Sequence, residues 1–215
     1  MNKKLIWLIS LLISLSFSSC ITILDEIKLN ADKSGEVFIG LESEALASVL
    51  YMAKDQLSPE VIAQIDQFPN EAKERLTGIE GIHHISSMEQ IQNGRLGISF
   101  QFDNPKALNK AYYALMDMEK TWYLPNLIKI KKHKIKRKNI TPQLVKQIEE
   151  NNPELKDSQI LKYLNWKSVI KLPANSKTIN NVQSKSAVGN KEVVIRYSLS
   201  DLLKNEKNSA YEIRF

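Results

Sequence analysis

Apolar residues keep three rhythms along this chain. From Leu5 to Phe17 they run nearly unbroken, interrupted only by Ser10, Ser14 and Ser16. Over 21–30 and 36–43 they follow a β pattern, with Val37, Ile39 and Leu41 on one face, and Ala31-Asp32-Lys33-Ser34-Gly35 between them reads as a turn. Asp32 bonds its own backbone in such a turn, and Gly35 is the expected residue of positive φ. After Glu44 the spacing becomes helical: Leu46, Val49, Leu50, Ala53 and Leu57 share a face. Ser58-Pro59 then opens a second helix with Val61, Ile65 and Phe68, and Pro69 is expected to interrupt it before a short helix over 70–76.

Asn93-Gly94 is a strong hairpin signal between strands predicted at 82–92 and 95–102, where Ile98, Phe100 and Phe102 alternate. Asn104-Pro105 reads as an N-cap with proline at the first helical position, ahead of a stripe of Leu108, Ala111, Tyr112, Leu115 and Met118. In 122–138, Leu127, Ile128, Ile130 and Ile135 suggest one long strand whose broken parity calls for a bulge. Helices are predicted from Thr141-Pro142 to the break at Asn151-Asn152-Pro153, and again over 154–164. Strands are predicted at 166–172, 192–197 and 210–215, with a helical turn at Asp201-Leu202-Leu203. Interspersed hairpins and helical stripes define an α+β fold, a largely antiparallel sheet packed by several helices, in one domain over 20–215.

The unbroken first rhythm is a different kind of segment. Asn2, Lys3 and Lys4 give a basic start, the apolar run is shorter than the roughly 20 residues of a bilayer span, and small residues close it. Residues 1–19 therefore read as a secretory signal peptide. Phe17-Ser18-Ser19-Cys20 resembles the bacterial lipobox, with Phe where Leu is usual. That resemblance implies alkylation of the Cys20 sulfur with diacylglycerol, whose palmitate-type acyl chains form the anchor, and cleavage just before Cys20. Two acyl chains give stable anchoring. Cys20 is the only cysteine, so no disulfide can form within the chain.

Charge sharpens this picture in one place. The chain carries +6, and about +4 once Lys3 and Lys4 leave with the signal. Lys129, Lys131, Lys132, Lys134, Lys136, Arg137 and Lys138 provide seven positive charges without an intervening acid. The remainder of the mature chain is net negative, so the basic character is local. One reading is a solvated edge strand whose lysines discourage aggregation. The other is a surface contacting anionic head groups or an acidic envelope partner, where each cation contributes about 1 kcal/mol. Nucleic acid is a poor partner for a chain directed out of the cytoplasm.

Candidate chemistry adds little. His83 and His84 are strand neighbours facing opposite sides, and without a second cysteine or a His-Glu-x-x-His pattern no metal site is expected. There is no Gly-x-Ser-x-Gly elbow and no phosphate-binding glycine loop, so neither catalytic residues nor a cofactor are expected. Ser168-Val169-Ile170-Lys171 matches Ser-x-x-Lys by letter, but in a predicted strand. Asp25, Glu26, Glu149 and Glu150 look like exposed, solvated acids.

The segment Ile27-Lys28-Leu29-Asn30-Ala31-Asp32-Lys33-Ser34-Gly35-Glu36-Val37, just after a lipobox-like cysteine, resembles the opening of LppM-like bacterial lipoprotein domains. Gly81-Ile82, Gly97-Ile98-Ser99-Phe100 and Val193-Val194-Ile195-Arg196-Tyr197-Ser198-Leu199 are similar to later strands of such domains. The resemblance implies an antiparallel sheet packed by helix and a role in envelope lipid binding, and it assigns no individual residue.

Together these observations define a membrane-anchored envelope lipoprotein acting as a non-enzymatic binding or scaffold module. The alternative is an envelope hydrolase or transferase with a dispersed active site. Ile21 after Cys20 lacks the acidic retention signal of proteobacterial inner-membrane lipoproteins. In a host with an outer membrane, anchoring there, facing the periplasm, is the expected location, with display on the cell surface as the alternative. Limited proteolysis is expected to remove the residues just after Cys20 before it cuts the body of the domain.

Overall fold

A computed structural model describes residues 21–43, 59–88, 94–142, 145–146, 164–181, 183–204 and 209–215. The signal peptide, Cys20, the helix expected from Glu44, most of the helices expected over 141–163, and Glu149 and Glu150 lie outside the described residues.

Strands β1 (Ile21–Leu29) and β2 (Gly35–Glu42) form the first hairpin. Its turn is closed by Asp32, whose Oδ1 accepts from the Ser34 amide at 3.0 Å and the Ser34 hydroxyl at 2.6 Å. Lys33, not Gly35, takes the positive φ, at 75°. Gly35 is required for a different reason. A Cβ there would lie 2.1 Å from the Lys28 carbonyl oxygen and 2.9 Å from the Phe102 ring. The turn chemistry was legible, whereas the crowding comes from the facing hairpin strand and, through Phe102, from a strand far away in sequence.

Helix α1 (Pro59–Leu76) runs unbroken through Pro69, contrary to the interruption expected there. Proline costs a helix a backbone hydrogen bond, but Phe68, Ala72 and Leu76 continue the core-facing stripe across it. Tertiary packing holds the helix together. Strands β3 (Ile82–Met88) and β4 (Arg95–Phe102) pair antiparallel as the Asn93-Gly94 signal predicts, with an irregularity between His83 and Ser86. Asn104 caps helix α2 (Pro105–Leu115), accepting from the amides of Lys106 and Ala107 at 3.0 Å each.

The expected long strand over 122–138 is instead a tight hairpin of β5 (Ile128–Lys131) and β6 (Lys134–Arg137). The broken parity of its isoleucines is a reversal of the chain, not a bulge. Strand β7 (Leu164–Lys171) starts where a helix was expected to end, and β8 (Thr178–Asn180) is a short strand absent from the sequence reading. Strand β9 (Glu192–Ser198), helix α3 (Leu199–Leu203) and β10 (Tyr211–Arg214) complete the chain close to the predicted positions.

These strands make two sheets. The larger has order β3-β4-β2-β1-β7-β9, antiparallel except for the parallel β1–β7 pair. The smaller has order β5-β6-β10-β8 and is wholly antiparallel. The fold is thus α+β, with two mostly antiparallel sheets where one was expected. Their inner faces share one apolar core with α2: Ile27, Phe100 and Ile170 from the large sheet, Leu108 and Ala111 from the helix, Ile135 and Ile213 from the small sheet. Ile21 is itself a strand residue, only 9% exposed and paired with Leu164, so proteolysis there requires opening of the β1–β7 pair.

Candidate functional site

Strand alternation gives the small sheet two unlike faces. Ile128, Ile130, Ile135, Arg137, Tyr211 and Ile213 point inward and are buried. The opposite face is set by register. Lys129 stands across from Lys136 and Lys131 across from Lys134, while on the next strand Lys136 meets Glu212 and Lys134 meets Arg214. Five cations therefore share one face with a single acid. Glu212 accepts from Lys134 Nζ at 2.8 Å and lies 3.7 Å from Lys136 Nζ and 3.4 Å from Arg214 Nε. The Lys134 hydrogen bond leads in holding its carboxyl below the ordinary value of 4.5, with Lys136 and Arg214 adding to it. Among the described residues, Lys129, Lys131, Lys132 and Lys138 meet no carboxylate within ion-pair distance, and all four are exposed. Directly opposed like charges disfavour strand pairing, so this face is held together from behind.

Two buried polar devices do that. Asn109 on α2, 2% exposed, donates to the Ile128 carbonyl at 2.7 Å and accepts from the Ile128 amide at 3.0 Å, fixing the start of β5. Arg137 is the second. It belongs to the basic run in sequence, but alternation turns it inward, where it is 2% exposed and pairs with Asp25 of β1. Arg137 is therefore not part of an anionic-surface contact, and Asp25, 1% exposed, is not a solvated acid. Tyr112 donates to Asp25 at 2.6 Å, and the guanidinium lies over the rings of Tyr112 and Trp166, 5.3 and 5.9 Å from their centroids. Burial lowers the pKa of Arg137 and raises those of Tyr112, Tyr197 and Tyr211. The Tyr211 hydroxyl faces the Arg137 guanidinium, whose charge offsets part of the rise that burial causes in the Tyr211 pKa. The cluster joins the two sheets, with Asp25, Tyr112, Arg137 and Tyr211 buried and Trp166 half-buried at its edge.

The outer face of the large sheet is chemically different. Glu26 pairs with Arg95 and Lys171, Glu36 with Lys28, and Glu42 with Arg95 and Lys167. Burial raises the Glu42 carboxyl pKa, but hydrogen bonds from Lys167 and Arg95 outweigh it and leave it lowered. A shallow groove of about 330 Å³ lies here, lined by Glu26, Lys28, Glu36, Phe38, His84 and Arg95 among others. Its charges are paired off. His83 bonds Asp103 at 2.7 Å, and His84 has a positive φ of 50° beside the β3 irregularity. No cluster of three or more metal-ligating side chains occurs among the described residues. Ser168 and Lys171 lie on a strand, and Ser168 is buried and accepts from the Trp166 indole at 3.1 Å, which leaves the Ser-x-x-Lys match without helical geometry.

The fold and face define an α+β domain of two sheets with an uncompensated cationic surface. No protein-family model and no curated protein matches the chain. Among solved structures, the NMR structure of the folded domain of LppM from Mycobacterium tuberculosis is similar, with a TM-score of 0.44, 10% identity, and coverage of 92% of this chain and 91% of that one. A likeness of this degree transfers neither function nor site residues.

Proposed function

We propose that this chain is a bacterial envelope lipoprotein, anchored through acyl chains on Cys20, whose domain is a non-enzymatic module for binding an anionic envelope surface. The observation that carries the binding role is the outer face of β5, β6 and β10, where Lys129, Lys131, Lys134, Lys136 and Arg214 face a single acid. Two like-charge cross-strand pairs disfavour the hairpin, and a negatively charged partner relieves that repulsion. Anionic head groups supply such a partner.

The anchor reading rests on the basic start, the apolar run and Phe17-Ser18-Ser19-Cys20. Strand β1 begins at the next residue, so an acylated Cys20 holds the domain directly against the bilayer. In a host with an outer membrane, Ile21 at the following position favours anchoring there. Labelling cells with a clickable palmitate analogue tests the anchor. The protein should incorporate label, and Cys20→Ser should abolish labelling and signal cleavage together. Unchanged labelling and membrane retention in Cys20→Ser would refute it.

A further inference from the structure

The loop between α2 and β5 displays its largest side chains outward. Trp122 is 94% exposed and Tyr123 68%, and their rings meet edge to face at 5.8 Å. Met118, at 38%, is the third large apolar side chain exposed in this loop. The loop itself is fastened. Lys120 Nζ donates to the carbonyls of Thr121 at 2.8 Å and Leu124 at 2.6 Å and lies over the Tyr113 ring. The Tyr113 hydroxyl donates to the Pro125 carbonyl at 2.8 Å, and Leu124 packs on the core. The aromatic pair is thus displayed on an ordered support.

Six residues after Trp122 the chain enters β5, a reach of at most about 20 Å, and the Leu127 carbonyl accepts from the Lys138 amide at 2.8 Å. The exposed aromatics therefore sit on the segment that leads directly into the hairpin bearing Lys129, Lys131 and Lys132, which meet no carboxylate among the described residues. An indole and a phenol, apolar in body and polar at one tip, suit the layer between head groups and acyl chains. Lysines beside them suit the phosphates of the same layer.

We propose that Trp122 and Tyr123 insert into the interfacial layer of an anionic bilayer while the adjacent lysines engage its head groups. This rests on the surface-binding reading above and names its partner as lipid. A protein partner would cover the same aromatics without bringing them near acyl chains, and the test separates the two.

The full chain, purified from membranes and reconstituted into phosphatidylethanolamine–phosphatidylglycerol vesicles with brominated acyl chains, supplies the measurement. Bromine quenches indole fluorescence at short range. Quenching should be several-fold greater in the unaltered protein than in Trp122→Ala, the difference isolating Trp122 from the other tryptophans. At 94% exposure this substitution leaves the fold intact. Equal quenching in the two proteins would overturn insertion, and would leave the lysine surface standing if Lys129→Gln/Lys131→Gln/Lys132→Gln still weakened vesicle binding of the anchor-free chain. Conversely, a Trp122 signal indifferent to those lysine substitutions would support insertion and refute the head-group role of the lysines.

Discussion

The two outer sheet faces treat charge in opposite ways. On the large sheet, Glu26, Glu36 and Glu42 are matched by Lys28, Arg95, Lys167 and Lys171, so basic and acidic groups satisfy one another across strands. On the small sheet, among the described residues, Glu212 alone meets Lys134, Lys136 and Arg214, and Lys129 and Lys131 meet no carboxylate. Both faces are lysine-bearing, but they differ in burial as well: Leu24, Phe38 and Val169 lie buried among the paired charges of the large sheet, whereas the lysines at 129, 131 and 136 of the small sheet are exposed. The large sheet shows that this chain can pair its surface cations. That it does not do so on the small sheet is the physical basis for assigning binding to that face.

The sharpest way to break the comparison is at Arg137, which belongs to the basic run by sequence and to the core by structure. Arg137→Met leaves Asp25 as an uncompensated buried charge, and should cost about 3–5 kcal/mol of stability in chemical denaturation. Adding Asp25→Leu should recover most of it, because a buried pair replaced by apolar groups is often neutral or better. A stable Arg137→Met protein whose only defect is weaker binding to anionic vesicles would place Arg137 on the surface after all.

Arg137 also shows where sequence reasoning reached its limit. The seven basic residues were visible as a run, but a run has no faces until its reversals are known. The turn at Lys132-His133 carries no Gly or Asn to announce it, and it is this turn that puts Lys129, Lys131, Lys134 and Lys136 on one side and Arg137 on the other. The hairpin turns at Asp32 and Asn93-Gly94 and the cap at Asn104 were legible because their chemistry is local. Asp25 as a buried partner, Pro69 inside a helix and the need for Gly35 were not, since each depends on residues far away in sequence. The short strand β8 was invisible for the same reason: three residues with one half-buried isoleucine carry no pattern of their own.

The next largest effect compares the two faces directly. In the soluble domain expressed without residues 1–20, and so without signal or anchor, Lys129→Gln/Lys131→Gln/Lys132→Gln should weaken binding to phosphatidylglycerol vesicles about a hundredfold at low salt, at about 1 kcal/mol per lysine. The matched set Lys28→Gln/Lys167→Gln/Lys171→Gln should change binding little, because those cations already have carboxylate partners. Equal losses from the two sets, read by vesicle sedimentation over a salt series, would mean that only net charge matters and that neither face is a site. A smaller effect should come from Asn109→Leu. It strips the Ile128 amide and carbonyl of their buried partners and should cost about 1–3 kcal/mol. Amide hydrogen exchange should then rise first in β5, with the large sheet still protected.

The subtlest change is at Glu212, the one acid on the binding face. Glu212→Gln removes the only negative charge there and should tighten binding to anionic vesicles roughly fivefold, the effect of one elementary charge near such a surface. A loss of affinity would instead mean that Glu212 orders the lysines for a specific ligand. Its pH dependence has a fixed sign. The carboxyl pKa is lowered in the fold from 4.5, chiefly by the Lys134 hydrogen bond. Its stabilising contribution is therefore fully present above that unfolded value and is lost as pH falls through the lower folded one. Unfolding curves from pH 7 to pH 3 should show a small stability loss below 4.5 that is reduced in Glu212→Gln. Glu42, lowered by Lys167 and Arg95 against its partial burial, contributes a loss of the same sign from the other face. Glu212→Gln should leave that loss in place, together with those of Glu36 and of Asp32 in the first turn, whose carboxyls are lowered by Lys28 and Ser34.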